Sequence, residues 1–174
     1  MSTNREYTED FKNNVRVSLK AENIAKELLE QLTWDTLTSV RDLPEYFHFG
    51  DLLGTDGKFY DVKDDGVIHR SGNVFCEMKK RWKESGKLTD GWMLNSHYDY
   101  LVILDQIKKH IYLLDFPSLK KIYRSYGYWR NNVDMGDNYT DGIVVSLDKC
   151  RKYDVLIDES EYKANSLCTR QLVY

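Results

Sequence analysis

Cysteine is scarce in this sequence, and the placement of the cysteines argues against two classes of small protein. Among 174 residues there are three cysteines, which are Cys76, Cys150 and Cys168. Their number is odd, they lie far apart, and no two form a C-x-x-C pair. This pattern argues against a zinc knuckle and against the disulfide framework of a secreted domain. We therefore expect a protein of a reducing compartment.

Long hydrophobic runs are also absent, because no apolar stretch is long enough to cross a bilayer. The first residues, MSTNREYTEDFKNN, are polar and include acidic side chains, unlike a signal or transit peptide. We therefore expect a cytoplasmic protein with no membrane partner.

The sequence has no large excess of charge of either sign. Its formal net charge is −3 and its isoelectric point is near 5.8. A nucleic acid would therefore find no overall electrostatic attraction, and a local basic surface would have to hold it.

Several catalytic and nucleotide-binding motifs are missing. The sequence contains no G-x-S-x-G, no G-x-x-x-x-G-K-[ST] and no G-x-G-x-x-G, which disfavours acyl transfer, nucleoside triphosphate use and dinucleotide binding. The four histidines do not stand at the spacing of zinc ligands. A function for this chain has to be sought among its carboxylates and lysines.

The composition that is present indicates a folded globular protein. Apolar residues make up 41% and aromatic residues 13% of the chain, and no internal repeat or low-complexity segment interrupts it. A chain of this length buries a continuous core without metal or disulfide support. We predict a single α+β (α/β) domain over residues 1–174, with a central mixed β-sheet flanked by α-helices.

A long amphipathic helix is predicted over residues 8–32. Its apolar stripe consists of Phe11, Val15, Leu19, Ala25, Leu29 and Leu32, widened by Ile24 and Leu28. Glu22 lies on this packed face, where a carboxylate is costly unless it is paired or coordinates a cation. The alternative is that Glu22 stands at the edge of the stripe and reaches solvent past Ala21.

Three alternating segments follow within residues 47–79, after a short strand TLTSV. The turn from Gly54 to Gly57 predicts a hairpin between the first two segments, and a third strand, NVFCEMKKRW, follows Gly72. We predict that the three strands form an antiparallel layer against the helix. The residues that share one face are Phe47, Phe49, Asp51 and Leu53; Phe59, Asp61 and Lys63; and Phe75, Glu77 and Lys79.

The second half of the chain predicts further strands and one helix. YDYLVIL is the most apolar segment and is predicted as a central strand paired with HIYLLDF. A helix, SLKKIYRSYGYW, follows Phe116, with Leu119, Ile122, Tyr123 and Tyr126 pointing inward. We expect a polar loop at residues 83–90, a short helix or turn at 91–97 and a loop at 130–141. GIVVSL and YDVLI are predicted as later strands.

The acidic residues on these faces indicate metal chemistry. Carboxylates from adjacent strands repel one another unless a hard divalent cation binds them, and oxygen ligands suit Mg²⁺ or Mn²⁺. Such an ion lowers the pKa of a bound water, while a lysine orients or deprotonates that water. The pattern therefore indicates phosphodiester hydrolysis. The carboxylates expected to meet are Asp51, Asp61 and Glu77 from the strands and Glu22 from the helix.

These residues resemble the PD-(D/E)XK nuclease superfamily. The resemblance covers roughly residues 20–123 and rests on a helix glutamate in Glu22-x-x-Ala25-x-x-Leu28, on Asp51, and on the triplet Asp61-Val62-Lys63. In addition, SGNVFCE at residues 71–77 is similar to a T-G-N-x-x-x-E segment of uncharacterised, phage-like bacterial members. The resemblance implies a restriction-endonuclease-like core of αβββαβ order.

The resemblance also implies roles for single residues and a substrate. Asp51 and Asp61 are expected to hold Mg²⁺ or Mn²⁺, Lys63 to act with the attacking water, and Glu22 to complete the metal site. Glu77 is expected to be a further ligand or orienting residue. The expected activity is that of a metal-dependent, endonuclease-like hydrolase that cleaves DNA. Cutting both strands of a duplex would require two sites, which a homodimer would supply.

The chain departs from the superfamily pattern in two places and leaves a second register open. Gly50 stands where the superfamily name has proline, and the middle acid is Asp61 rather than the commoner glutamate. In the rival register Asp61 is the first acid, and Glu77 and Lys79 form the acid-x-lysine pair. We favour the first register.

Two basic clusters are candidate nucleic-acid contacts. The first consists of Lys79, Lys80, Arg81 and Lys83 beside Trp82. The second consists of Lys120, Lys121, Arg124 and Arg130 with Tyr123, Tyr126, Tyr128 and Trp129. Cations hold phosphates and aromatic rings stack on unpaired bases; the alternative is a solvated loop and a helix whose tyrosines are packed. The alternative function is a catalytically inactive nuclease-fold module for DNA binding or protein interaction in a mobile element.

Overall fold

The computed structural model describes residues 9–46 and 48–162, with side chains from residue 16 onward. Its helices are α1 (Glu9–Thr33), α2 (Ile68–Ser71), α3 (Trp92–Asn95), α4 (Phe116–Tyr126) and α5 (Leu147–Lys152). Its strands are β1 (Leu37–Ser39), β2 (Leu52–Gly54), β3 (Phe59–Asp64), β4 (Asn73–Trp82), β5 (Leu88–Asp90), β6 (Tyr100–Asp105), β7 (His110–Asp115), β8 (Tyr128–Asp134), β9 (Asn138–Ser146) and β10 (Leu156–Glu161). The chain is therefore an α+β protein.

The larger sheet is mixed, as predicted. Its strand order is β1-β2-β3-β6-β7-β10. The pairs β1–β2 and β2–β3 are antiparallel, whereas β3 and β6 are parallel. The predicted central strand is confirmed as β6, which pairs with β7.

A second sheet corrects the predicted three-stranded layer. It has the order β5-β4-β9-β8, so β4 pairs with β5 and β9 and does not lie beside β3. The free edge of β3 pairs instead with β6, a strand apolar on both faces. The alternation of β4 was predicted correctly, because Val74, Cys76 and Met78 are buried, but periodicity identifies faces and not partners.

Two hydrophobic cores fill the layers on either side of the larger sheet. On one face, Ala25 and Leu29 of α1 pack with Tyr60 and Val62 of β3. The core on the other face joins residues from β4, β6, β7, β9 and α4, which include Cys76, Leu101, Leu114, Leu119 and Val145. The larger sheet is thus covered by α1 on one side and by the second sheet and α4 on the other.

Helix α1 confirms the predicted N-terminal helix but not its whole stripe. Leu19 and Leu32 are each 42% exposed, although both were predicted to be packed. The side chains that reach the core lie between them, from Ala21 to Leu29, because this central part of α1 covers β3. The side chains of Phe11 and Val15 lie outside the described residues.

Residues 128–146 form a β-ribbon, which corrects the loop predicted at 130–141. Helix α4 ends at Tyr126, earlier than predicted, because Gly127 has an extended backbone conformation, with φ −91° and ψ 166°. Strand β8 then begins, and it is mostly exposed at the edge of the second sheet. Its polar sequence therefore resembles that of a loop. The predicted loop at 83–90 likewise contains β5.

The remaining predictions concern α3, the last strand and membrane spans. A short helix or turn was predicted at residues 91–97, where α3 is found, and the strand predicted at YDVLI begins only at residue 156 as β10. Among the residues that the structure describes, no helix is both long and apolar enough to cross a membrane.

Candidate functional site

Gly50 and Asp51 lie against β3, just before β2 begins. Gly50 has φ +131°, and a Cβ built there would stand 2.6 Å from the carbonyl oxygen of Tyr60. Asp51 donates its backbone N–H to that oxygen at 2.9 Å. Its Oδ2 accepts the N–H of Val62 at 2.8 Å. Asp51 is therefore fixed beside the edge of β3, and the departure from proline at position 50 has a steric reason.

The strand predicted to contain Asp51 is shorter than the sequence indicates. Strand β2 begins at Leu52, so Asp51 and Phe49 precede it. Phe49 lies in a turn, and its ring centroid is 5.2 Å from that of Phe59. Phe47 lies outside the described residues. The alternating pattern of residues 47–53 predicted too long a strand, because Phe49 is apolar for its packing against Phe59 and not for a place in β2.

Asp61 and Lys63 share one face of β3, as the alternation predicts. In the parallel register they lie beside Leu101 and Ile103 of β6, on the face that the second sheet covers. Asp61 is buried, and its Oδ2 lies 2.7 Å from Nζ of Lys63. Burial raises the pKa of the Asp61 carboxyl to about 6, with Lys63 opposing the shift and Asp51 adding to it.

The ammonium of Lys63 is held in its charged form. Desolvation alone would lower the pKa of Lys63, but the negative charges of Asp61, Asp51 and Glu77 together raise it above its ordinary value. Lys63 is therefore a cation at neutral pH and a hydrogen-bond donor. In this state it can orient a water but cannot deprotonate one.

Glu22 is buried on α1, which excludes a solvent-reaching position at the edge of the stripe. Its Oε1 accepts a hydrogen bond from the guanidinium of Arg41. Burial raises the pKa of Glu22 to about 7; Asp51 raises it further, and Arg41 opposes the shift. Helix α1 covers the face of β3 that carries Val62, and the charge of Glu22 still interacts with Lys63 and Asp61 on β3.

Glu77 lies on β4, across from Lys63. The two side chains line the same cleft, and Glu77 raises the pKa of both Asp61 and Lys63 as one of several causes. Oε2 of Glu77 lies 2.7 Å from Nζ of Lys80. Lys79 pairs instead with Asp90.

An extra residue in β4 explains this pairing. Glu77 is paired with Gly142 and Lys79 with Asp141, so the register shifts between them. Such a bulge interrupts the two-residue alternation of a strand. The rival acid-x-lysine pair of Glu77 and Lys79 is therefore not brought together on one face, whereas Asp61 and Lys63 are.

The carboxylates fit a hard divalent cation by their chemistry. Asp51, Asp61 and Glu22 supply only oxygen donors, and their mutual repulsion contributes to the raised pKa values of Asp61 and Glu22. Among the described residues, however, no three His, Cys, Asp or Glu side chains are grouped so as to hold a metal ion. Mg²⁺ typically uses one or two carboxylates together with water and substrate phosphates. Asp51 and Asp61 are suited to such a site, and Glu22 is near enough for its charge to interact with both.

The first basic cluster is largely neutralised by acidic neighbours. Lys79 pairs with Asp90, Lys80 with Glu77, and Lys83 with Asp134. The fourth member, Arg81, is exposed on β4. Exposed ion pairs contribute little to stability, but they reduce the net positive charge that a phosphate backbone would meet.

The second basic cluster divides between α4 and β8. Tyr123 is buried, and its hydroxyl accepts a hydrogen bond from Nε of Arg124 at 2.6 Å. Tyr126 is 42% exposed, which corrects its predicted inward position. Tyr128 and Trp129 are exposed on the edge strand β8.

An open cleft of about 660 Å³ adjoins Lys63. It is lined from one side by β3 and β6 and from the other by β4, β8 and β9. Its apolar side chains include Phe75, Trp92, Leu101, Ile103, Tyr128 and Val144. The sequence did not predict this cleft, because the two sheets that form it meet only in the tertiary structure.

Arg41 is the residue of this region that the sequence interpretation missed. It follows β1, and its guanidinium pairs with Glu22, 19 positions earlier in the chain. The signal was indirect, since a carboxylate on the packed face of a helix requires a cation. Nothing in the local sequence selects Arg41 over the other basic residues for that role.

Comparison with known proteins identifies no family for this chain. No protein-family model matches the chain, and no curated protein is similar enough to count as a relative.

Proposed function

We propose that this protein is a divalent-metal-dependent DNA nuclease whose site is built on β3. The observation that carries the proposal is the buried pair of Asp61 and Lys63, 2.7 Å apart, with Asp51 fixed by its hydrogen bond to Val62. An acid-x-lysine pair on one strand beside a second acid is the arrangement on which the resemblance to the PD-(D/E)XK superfamily rests.

The topology around β3 supports a restriction-endonuclease-like core. Helix α1 is followed by the antiparallel strands β1, β2 and β3, and the next strand of the same sheet, β6, is parallel to β3. These elements follow the αβββαβ order when the segment between β3 and β6 is counted as a single crossover connection. That connection contains α2, β4, β5 and α3. The order agrees with Asp61 and Lys63 as the acid-x-lysine pair, because β4 lies outside this sheet.

The proposed reaction is the attack of water on phosphorus with cleavage of a P–O bond. A Mg²⁺ held by Asp51 and Asp61 would supply Lewis-acid stabilisation of the phosphate oxygens and acidify the water. The ammonium of Lys63 donates a hydrogen bond that orients the water and offsets the negative charge of the transition state. Glu22, paired with Arg41, adds a third negative charge that interacts with Asp51 and Asp61.

The test is a cleavage assay with matched variants. Labelled single-stranded DNA, duplex DNA and RNA are incubated with the protein in the presence of Mg²⁺, Mn²⁺ or EDTA. We expect cleavage of DNA that requires the metal, and we expect Asp61→Asn and Lys63→Ala each to lower the rate by a factor on the order of 10²–10³. Glu45→Gln, which changes an exposed acid that does not line the cleft, serves as the control.

Two results would reject the nuclease. One is that DNA and RNA both remain intact under all metal conditions. The other is cleavage that Asp61→Asn leaves unchanged, because it would indicate a contaminating enzyme. Cleavage of RNA alone would support the proposed metal-dependent hydrolysis, with RNA in place of DNA as the substrate.

The second candidate is a nuclease-like module that binds DNA without cutting it. It is favoured by the ion pairs that neutralise Glu22 and Asp61 through Arg41 and Lys63, since these carboxylates are then balanced without a metal. DNA binding that is independent of Mg²⁺, with no cleavage, would support this candidate over the enzyme.

A further inference from the structure

The cleft beside Lys63 is continuous with the proposed reaction site. Lys63 and Glu77 stand in its wall, and Asp61 lies 2.7 Å from Lys63 on the same face of β3. A group bound in the cleft is therefore a direct neighbour of any phosphate at Asp61 and Lys63. The cleft belongs to the substrate path and not to a separate site.

The walls of the cleft suit the flat face of a nucleobase. Phe75, Trp92 and Tyr128 are aromatic, and Leu101 and Val144 add aliphatic surface. The volume of about 660 Å³ lies in the range of clefts that hold a small organic ligand. Within a duplex the base faces are covered by their stacking neighbours, so only an unpaired or extruded nucleotide can use such a surface.

Cations at the cleft are placed to accompany the base. Arg130 lines the cleft, and its guanidinium carbon lies 5.2 Å from the centroid of the Tyr128 ring. Lys63, on β3, lines the other side of the cleft. The aromatic ring can thus stack on a base while Arg130 and Lys63 meet the flanking phosphates.

Three lysines of the first basic cluster are not available as unpaired cations to a duplex. Lys79, Lys80 and Lys83 on the second sheet are each paired with a carboxylate. A duplex is held mainly through unpaired cations that track its two backbones. The charge distribution therefore favours recognition through a stacked base over recognition of a double helix.

We propose that the cleft is a stacking subsite for an unpaired nucleotide, so that the substrate is single-stranded or locally unpaired DNA. This inference rests on the proposed nuclease function, because that function places a phosphodiester at Asp61 and Lys63. Tyr128 on β8 contributes the accessible stacking ring, with 49% of its surface exposed.

The test compares two neighbouring aromatic residues of β8. Tyr128 lies opposite Val144, which lines the cleft, whereas Trp129 lies opposite Ile143. Successive residues of a strand project to opposite faces, and both aromatic side chains are 49% exposed. Tyr128→Ala removes the cleft ring, and Trp129→Ala removes an equally exposed ring outside it.

Binding is measured in EDTA by fluorescence anisotropy, so that no cleavage occurs. The probes are a labelled DNA strand of about 15 nucleotides and the same strand annealed to its complement. We expect the single strand to bind at least about tenfold more tightly than the duplex, and Tyr128→Ala to weaken single-strand binding about tenfold. Trp129→Ala should change it by less than about twofold. Thermal unfolding verifies that both variants are folded.

Equal or tighter binding of the duplex would overturn the subsite, as would equal effects of the two variants. These outcomes are separate from those for the nuclease. If metal-dependent cleavage persists without single-strand preference, only the subsite fails. If Tyr128-dependent single-strand binding persists without cleavage, the nuclease fails and the cleft is a single-strand binding site.

Discussion

Nζ of Lys80 lies 2.7 Å from Oε2 of Glu77, three residues back along a bulged strand. Lys79, between them, pairs with Asp90 on the neighbouring strand β5. The lysine that neutralises Glu77 is therefore not the one that an unbroken strand would place beside it. Glu77 is held in the wall of the cleft as part of this ion pair.

This arrangement predicts which lysine is essential for cleavage. Lys63→Ala should lower the cleavage rate by a factor on the order of 10² or more, because Lys63 adjoins Asp61. Lys79→Ala should have an effect below about threefold, because loss of an exposed ion pair costs little. Lys80→Ala should be intermediate, since it leaves Glu77 without its cation. Rates are compared under single-turnover conditions. Activity that survives loss of Lys63 and disappears with Lys79 would establish the rival register.

The raised pKa of Glu22 predicts that the metal-free protein is more stable in mild acid than at neutral pH. Between the ordinary value of 4.5 and about 7 the folded state binds a proton that the unfolded state has released. The free energy of unfolding therefore falls as pH rises through this window, by up to about 3 kcal/mol from this group. Denaturant unfolding in EDTA at several pH values measures it, and Glu22→Gln should flatten the dependence. A free energy of unfolding that instead rises between these pH values would contradict the raised pKa of Glu22.

A bound divalent cation should act against this trend, because it favours the charged carboxylates. We expect Mg²⁺ to raise the unfolding temperature more at pH 8 than at pH 5. Asp61→Asn should remove most of the Mg²⁺ effect, and the control Glu45→Gln, at an exposed acid outside the cleft, should not. An equal effect of Mg²⁺ at both pH values and in both variants would argue for nonspecific ion binding.

The pairing of Arg41 with Glu22 predicts a large effect of removing the guanidinium. Arg41→Met leaves a buried carboxylate without its cation, which should destabilise the fold by about 3 kcal/mol at pH 8. The loss should shrink near pH 5, because the pKa of Glu22 would rise further and the carboxyl would be neutral. The double variant Arg41→Met with Glu22→Gln should recover much of the stability. No recovery would mean that Arg41 acts through packing alone.

Any residue with a Cβ at position 50 is predicted to lower the stability of the fold. Gly50→Ala would place that atom 2.6 Å from the carbonyl oxygen of Tyr60 at φ +131°. We expect a loss of about 1–3 kcal/mol in the free energy of unfolding. Gly57→Ala, at φ +80° with open space around it, is the matched control for backbone strain alone. Equal losses in the two variants would show that the contact with β3 is unimportant.

Local periodicity in the sequence determined a large part of this protein. The 3.6-residue pattern identified α1, and the two-residue pattern with its glycine turn identified the hairpin of β2 and β3. The same alternation placed Asp61 and Lys63 on one face. These features follow from neighbours within one or two turns of chain, where backbone geometry fixes the direction of each side chain.

Only the tertiary structure decided which strands and faces meet. Strand β3 pairs with β6, about 40 positions later, and not with the nearer β4, because strand pairing depends on which apolar faces can be covered together. That choice forms the cleft beside Lys63 and separates Lys63 from Lys79. The tertiary structure also brings Arg41 to Glu22 of α1, a relation that no spacing in the sequence encodes.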